Sequence, residues 1–319
     1  MSEPRKLLFI TSTRIGDAVL SSGLLAHVLA EMPGASVTVA GGALVEPLFA
    51  GVPGLERFIV MKKQPRAGHW RSLWRQTVGT RWDTILDLRG SIVGYGLRRK
   101  RLILWSRHAA GQGHQVERLA RVLGVTPPPS PRLFPSEAQR MAGAGFLPKG
   151  RPILALGPTA NGRGKEWSPE RYAELAHWIT AKGSLMPGAE IVVFGAPEDA
   201  DRMAPLLEAM ADLPVTSCFN IGDLGTVGQA IAGCQLYIGN DSGLMHMAAA
   251  SGIPTFGLFG ASPMDRYGPW GPKAGGTASP VSPEEALRRF LADGDWLMDW
   301  LTMDQVKRDL AAFWSRVSS

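Results

Sequence analysis

The sequence predicts an α/β protein of two units, each built on a parallel sheet. Three observations lead there. Short apolar runs alternate with helix-like segments from end to end, the pattern of strands joined by helical crossovers. The chain has 319 residues, more than one domain usually holds. Prolines cluster at 127–131 and recur at 148 and 152, which marks a connection over 126–150. The expected domains are therefore 1–150, with the connection at its end, and 151–319.

In the first half the strand-like runs are 7–10, 36–40, 57–60, 84–87 and 102–105. Between the first two, Leu20, Leu24, Leu25, Val28 and Leu29 fall on one face of a helix. In the second half the runs are 153–156, 190–194, 236–238 and 255–259, separated by helical segments near 168–181, 198–211 and 223–233. A Gly/Pro-rich loop spans 261–283. The tail from 284 reads as helix, with Val306, Leu310 and Phe313 at helical spacing.

Composition narrows the function classes. Hydrophobic residues make up 45% of the chain, ordinary for a globular protein with sizeable cores. No apolar run approaches the roughly 20 residues that cross a membrane, and the N-terminus lacks a secretory pattern, so a cytoplasmic protein is expected. Cys218 and Cys234 have neither disulfide-framework nor zinc-ligand spacing, and no other metal-ligand cluster stands out. Neither a metal nor another cofactor is expected. The net charge of +6 is uneven. Residues 1–125 hold 18 Lys/Arg against 8 Asp/Glu, a surplus of +10, and the remainder carries −4. Basic residues cluster at Lys62, Lys63, Arg66, His69, Arg71 and Arg75, and again at 98–101. Such a field suits an anionic partner or membrane surface, or it is only a solvated face. No zinc-finger or RNP-type motif accompanies it, which argues against nucleic acid. Trp70 and Trp74 lie among these charges, four apart, either as core or as interfacial residues.

The chemistry-bearing residues sit where strands end. In open α/β sheets ligands bind beyond the carboxyl ends of strands. After the first strand comes Thr11-Ser12-Thr13-Arg14-Ile15-Gly16-Asp17. Asp17 is either a helix-start acid or a general base that takes a proton from an attacking hydroxyl. The first strand of the second half leads into Gly157-Pro158-Thr159-Ala160-Asn161-Gly162-Arg163-Gly164-Lys165-Glu166-Trp167, then Ser168-Pro169 at a helix start. It is not a Walker loop. Thr159 and Lys165 can bind phosphate, unless the loop is only flexible surface. Glu198, after Phe194-Gly195-Ala196-Pro197, stands where ribose hydroxyls are held or where a helix favours an acid. The densest signal is Gly239-Asn240-Asp241-Ser242-Gly243-Leu244-Met245-His246. There a strand turns into a small-residue helix whose first N–H groups suit a phosphate. Asp241 stands beside that seat as an acceptor for sugar hydroxyls. His246 lies one turn on, as a packed residue or a ligand contact.

Two segments together resemble the lipopolysaccharide heptosyltransferases of glycosyltransferase family nine: the 10–20 segment around Gly16-Asp17, and Asn240–Ala250 with Gly252-Ile253-Pro254-Thr255 and Phe259-Gly260-Ala261-Ser262-Pro263. The Thr159…Lys165…Trp167 loop and Phe194–Glu198 match in kind and order. The resemblance spans nearly the whole chain. It implies a GT-B architecture, two Rossmann-like domains facing across a cleft, with a final helix crossing back to the first. It further implies metal-free, inverting transfer of heptose from ADP-heptose to the inner core of lipopolysaccharide. By that resemblance Asp17 is the catalytic base. Thr159, Lys165, Ser242 and Gly243 bind the diphosphate, and Asp241, Glu198 and His246 bind the donor's sugar and ribose. Lys62, Lys63 and Arg66 are expected to hold an anionic glycolipid acceptor at the cytoplasmic face of the inner membrane. The chain departs from the family at Gly23, where many members have proline, and at Ser242, where threonine is common. Two alternatives remain: a GT-B transferase or epimerase using another nucleotide-sugar, and a non-catalytic binder of sugar-nucleotides or glycolipids.

Overall fold

The computed structural model describes residues 3–260, 262–282, 284–285, 288, 291 and 298–318. The quoted Ala261 and most of the expected helical stretch just after 284 lie outside them. The chain divides into two units at 139/140.

The first unit runs β1 (Lys6–Ile10), α1 (Ile15–Glu31), β2 (Ser36–Gly41), β3 (Leu55–Val60), α2 (Gly68–Thr77), β4 (Trp82–Asp87), β5 (Arg99–Leu104), α3 (Arg107–Ala110) and α4 (Gln115–Leu123). Its five strands are parallel in the order β3-β2-β1-β4-β5. Chain order reverses beside β1, so the loops after β1 and β4 flank the crevice where such sheets bind ligands. Leu7, Leu8, Phe9 and Ile10 are all fully buried, as a central strand covered on both faces requires. The proline-rich segment is not a free linker. Gly51 N–H donates to the Phe134 carbonyl at 2.7 Å, and Arg132 N–H to Ser22 Oγ at 2.8 Å. Gly23 lets this segment cross α1 closely: a Cβ there would meet the Pro129 carbonyl oxygen at 2.4 Å. This contact explains a glycine at that position. The division consequently falls at 139/140, earlier than the expected residue 150, inside helix α5 (Glu137–Gly145).

The second unit continues with β6 (Ile153–Gly157), α6 (Pro169–Thr180), β7 (Glu190–Phe194), α7 (Ala204–Glu208), β8 (Val215–Cys218), α8 (Leu224–Ala232), β9 (Leu236–Asn240), α9 (Gly243–Ala250), β10 (Thr255–Phe259), α10 (Met264–Tyr267), β11 (Ala274–Ala278) and α11 (Met303–Val317). The sheet order is β11-β10-β9-β6-β7-β8, again all parallel. Its reversal lies between β6 and β9, so the loops after these two strands adjoin. Two strands were not expected, β8 and β11; the latter lies within the supposed Gly/Pro loop. The helical segment expected at 198–211 is broken into short turns and α7. Val306, Leu310 and Phe313 of α11 are buried in this unit's own core with Leu154, Ile238 and Phe256. The apolar stripe of the terminal helix is thus used within the second unit.

A row of glycines crosses this sheet in register, Gly157 beside Gly239, Gly239 beside Gly257 and Gly257 beside Gly276. Two of them, Gly157 and Gly239, leave room for the buried Tyr237: a Cβ would stand 1.8 Å or 2.5 Å from its hydroxyl oxygen. Burial pushes the Tyr237 phenol up, and the neighbouring Ser242 partly offsets this. Cys218 and Cys234 are buried free thiols, pushed by burial to about 11 and about 12. Among the described residues no helix is long and apolar enough to cross a membrane.

Candidate active site

In the second unit the site forms at the reversal between β6 and β9. Lys165 Nζ donates to Asp241 Oδ2 at 2.7 Å. The lysine side chain is 37% exposed and the carboxylate 9%, so one end of the pair is open to solvent. His246 Nε2 lies 3.9 Å from Asp241 Oδ1 and its side chain is buried. Asp241 is therefore flanked by a cation and an imidazole.

Ser242 is the N-cap of α9, in extended conformation, and its side chain makes no capping bond. The first N–H groups of the helix, beginning at Gly243, have no intrahelical carbonyl to meet. Hydrogen bonding within the helix begins with His246 N–H to the Ser242 carbonyl, at 3.4 Å. A positive helix end and a lysine thus lie on either side of Asp241, a combination that favours a bound diphosphate.

The loop that carries Lys165 is fixed by Asn240, whose importance the sequence did not reveal. Asn240 Nδ2 donates to the Pro158 carbonyl at 2.7 Å. Its Oδ1 accepts from Trp167 N–H at 3.2 Å and from the Tyr172 hydroxyl at 2.9 Å. One buried amide at the end of β9 therefore grips both ends of the 158–167 loop. Glu166 closes the loop further: it accepts from Ala160 N–H at 2.9 Å and pairs with Arg202. The glycine-rich loop is consequently held from both sides, not merely flexible surface. Thr159 is buried at its start. Glu198 is exposed on the turn after β7 and makes no hydrogen bond or ion pair among the described residues. Its neighbour Asp199 instead accepts from Ala196 N–H at 3.1 Å and pairs with Arg202.

In the first unit Asp17 stands in the first turn of α1, half-buried. The N-cap is Arg14, three residues earlier, so Asp17 does not cap the helix. Ser12 Oγ donates to Asp17 Oδ2 at 3.4 Å and accepts from Arg14 N–H at 3.1 Å. The carboxylate keeps acceptor capacity for an incoming hydroxyl. Beside it, β4 ends at Asp87, opposite Ile10 in the sheet. Asp87 is fully buried and accepts from the N–H groups of Arg89 and Ser91, both at 2.9 Å, and from the Ser91 hydroxyl. Burial holds its carboxyl above the usual carboxylate range, and these bonds offset only part of that rise.

Lys62, Lys63 and Arg66 follow β3 and are all exposed. Among the described residues none forms an ion pair. Trp70 is half-buried against the core that contains Leu73 and Trp82, with the Arg89 guanidinium 5.9 Å from its ring centre. Trp74 is 41% exposed. No group of three or more His, Cys, Asp or Glu that would hold a metal ion occurs among the described residues.

The profile of glycosyltransferase family 9 (heptosyltransferase) matches residues 89–290. The chain belongs to glycosyltransferase family 9. As a family 9 member it is a glycosyltransferase. Lipopolysaccharide heptosyltransferase 2 of Salmonella typhimurium is 28% identical over 313 residues, covering 84% of this chain and 86% of the relative. Among solved structures, a family 9 glycosyltransferase from Veillonella parvula aligns with a TM-score of 0.80 at 19% identity, covering 99% of both chains. The E. coli ADP-heptose lps heptosyltransferase II aligns with a TM-score of 0.72 at 23% identity, covering 98% of this chain and 100% of that one. These likenesses establish the fold, two parallel-sheet α/β domains of the GT-B class.

Proposed function

We propose that this family 9 glycosyltransferase transfers a heptose from ADP-heptose to an anionic lipopolysaccharide-core acceptor, with inversion at the anomeric carbon. The single observation that carries the donor half is the Lys165–Asp241 pair beside the open N-terminus of α9. The relatives' names supply the identity of base and sugar. In the proposed reaction Asp17 removes the proton from an acceptor hydroxyl. The oxygen attacks the anomeric carbon from the face opposite the nucleotide, and the bond to the β-phosphate breaks with its electron pair. Lys165, Thr159, Ser242 and the Gly243 N–H stabilise the negative charge that grows on the leaving diphosphate, the task a metal performs elsewhere. Asp241 accepts from the donor's sugar hydroxyls, and His246, 3.9 Å from it, contacts the same part of the donor. Glu198 reads the ribose. Lys62, Lys63 and Arg66 hold the acceptor's anionic groups at the cytoplasmic face of the inner membrane.

The test separates binding from turnover. Calorimetric titration should rank ADP above GDP and UDP; the opposite order would remove the heptose assignment. Asp17→Asn should leave ADP affinity nearly unchanged and lower turnover about 10²–10⁴-fold, the usual worth of general-base catalysis. Unchanged turnover would reassign Asp17 to helix stabilisation. Lys165→Ala should weaken ADP binding and slow transfer together, because a charge-assisted bond is lost in both the ground and transition states. Activity that disappears with EDTA and returns with magnesium would contradict the metal-free reading.

A further inference from the structure

The segment joining β4 to β5 divides its side chains in a way that its own packing does not explain. Val93 and Leu97 point inward and are buried in the core with Leu73 and Trp82. Ile92 and Tyr95, between and beside them, are 82% and 64% exposed. Trp74 of α2 adjoins them: its indole N–H donates to the Gly96 carbonyl at 3.1 Å, which leaves its ring edge at the surface. Three large apolar side chains therefore share one patch on the first unit. Isolated exposed apolar residues are ordinary, but a contiguous group with polar surroundings marks an interaction surface.

The surroundings are arginines. Arg71, three residues before Trp74 on α2, shares its helical face, and Arg75, one turn beyond Arg71, lies on the flank beside that face. Arg98 and Arg99 follow the apolar segment directly. The Arg99 guanidinium lies 5.7 Å from the Tyr95 ring centre and donates to the Tyr95 and Leu97 carbonyls at 3.1 and 3.0 Å. Arg98 donates to the Gly79 carbonyl at 3.4 Å. Among the described residues none of these four arginines has a carboxylate within ion-pair distance. Nearby Lys100 and Arg101, by contrast, are neutralised by Asp83 at 2.6 Å and by Glu31 at 2.8 Å. Unpaired cations thus ring the apolar patch itself.

We infer that Ile92, Tyr95 and Trp74 form a wedge that enters the headgroup boundary of an anionic membrane while the ring of arginines engages lipid phosphates. Aromatic rings with a polar edge settle at that depth, and arginine keeps its charge in water while its stem covers apolar surface. The charge complementarity selects an anionic lipid surface over a neutral one. Each basic residue near such a surface contributes about fivefold, from roughly 1 kcal/mol. The functional consequence rests on the membrane-borne acceptor proposed above; the lipid contact itself does not.

Binding is measured without donor or acceptor, by co-sedimentation with phosphatidylcholine vesicles containing or lacking phosphatidylglycerol. The parent should bind the anionic vesicles and hardly the neutral ones. I92S/Y95S should bind the anionic vesicles at least tenfold more weakly with an unchanged urea midpoint. I92S alone should show a smaller loss of the same sign. R71Q/R75Q should lose much of the preference for phosphatidylglycerol. Transfer to a delipidated, water-soluble acceptor should be the same in I92S/Y95S and the parent. Parent protein that ignores anionic vesicles, or equal binding by I92S/Y95S, would overturn the wedge. So would a dimer seen by light scattering without lipid that I92S/Y95S dissociates. Vesicle binding that depends on Ile92 and Tyr95 in a protein that transfers to no acceptor would uphold the wedge and reject the heptosyltransfer reading.

Discussion

Replacing Asn240 with alanine tests whether the end of β9 holds the lysine loop. The amide is fully buried and makes bonds of 2.7, 2.9 and 3.2 Å to Pro158, Tyr172 and Trp167. Its loss leaves a carbonyl, a hydroxyl and an N–H in the interior without that partner. At roughly 1 kcal/mol net for each bond the second unit should lose about 3 kcal/mol, near the upper end for one substitution. Two of the three partners bound the 158–167 loop, so the loop should also loosen and ADP affinity should fall at least tenfold. Tyr172→Phe is the control. It removes only the bond to α6, so it should cost about 1 kcal/mol and leave ADP affinity alone. Urea unfolding followed by circular dichroism gives the stabilities, and calorimetry gives the affinities. If Asn240→Ala binds ADP as the parent does, or if Tyr172→Phe weakens ADP equally, the loop is not positioned by Asn240.

Three further outcomes follow from the geometry. Gly157→Ala should destabilise the second unit, because its Cβ would stand 1.8 Å from the Tyr237 hydroxyl; adding Tyr237→Phe should recover part of the loss, and no recovery would place the clash elsewhere. Neutralising Lys62, Lys63 and Arg66 together should raise the acceptor KM with little change in the donor KM, and the parent's acceptor affinity should fall with salt because exposed charges are screened over about 8–10 Å. The Ala173 carbonyl and, with it, Asp212 raise the pKa of His177 above its ordinary 6.5. The protonated form therefore stabilises the fold; this contribution is complete below pH 6.5 and is lost as pH rises through the folded value. His177→Gln should accordingly flatten the decline of the urea midpoint over that window; an unaltered slope would show that the exposed pair contributes nothing.

The central strands are legible because they are buried on both faces and their apolar runs are continuous, and the edge strands β3 and β5 still carry the short apolar runs Phe58–Val60 and Leu102–Leu104. The two overlooked strands lack that signature for physical reasons. β8 is an edge strand, Val-Thr-Ser-Cys, and only its last residue is buried. β11 is Ala-Gly-Gly-Thr-Ala, also at an edge. Its glycines are there for close approach: a Cβ on Gly276 would lie 2.6 Å from the Gly257 carbonyl oxygen, and one on Gly275 2.5 Å from the Phe313 ring. Such a strand shows itself only through its neighbours. At the site, Asp241, Ser242 and Lys165 were legible because a turn between strand and helix announces its chemistry locally. Asn240 belongs to the same turn, but its partners lie 68 to 82 residues away in sequence. Its task is defined only once β6 and β9 are side by side. The capping alternative for Asp17 likewise needed the helix start, which the structure sets at Arg14.

The ion pair between Lys165 and Asp241 also bears on how the site empties. The lysine is paired with the same carboxylate that, on the proposed reading, recognises the sugar. A diphosphate entering alone draws the cation away and leaves a nearly buried carboxylate without its counter-charge, which is costly. An intact nucleotide-sugar brings hydroxyls that satisfy the carboxylate as the phosphates take the lysine. The site thus rewards a ligand bearing both parts over either part separately. On that reading, once the sugar has passed to the acceptor Asp241 loses its hydroxyl partners, keeps only the His246 imidazole 3.9 Å away, and competes with the phosphates for the lysine. If Lys165 and Asp241 hold the roles proposed for them, completion of the transfer itself loosens the hold on the spent nucleotide.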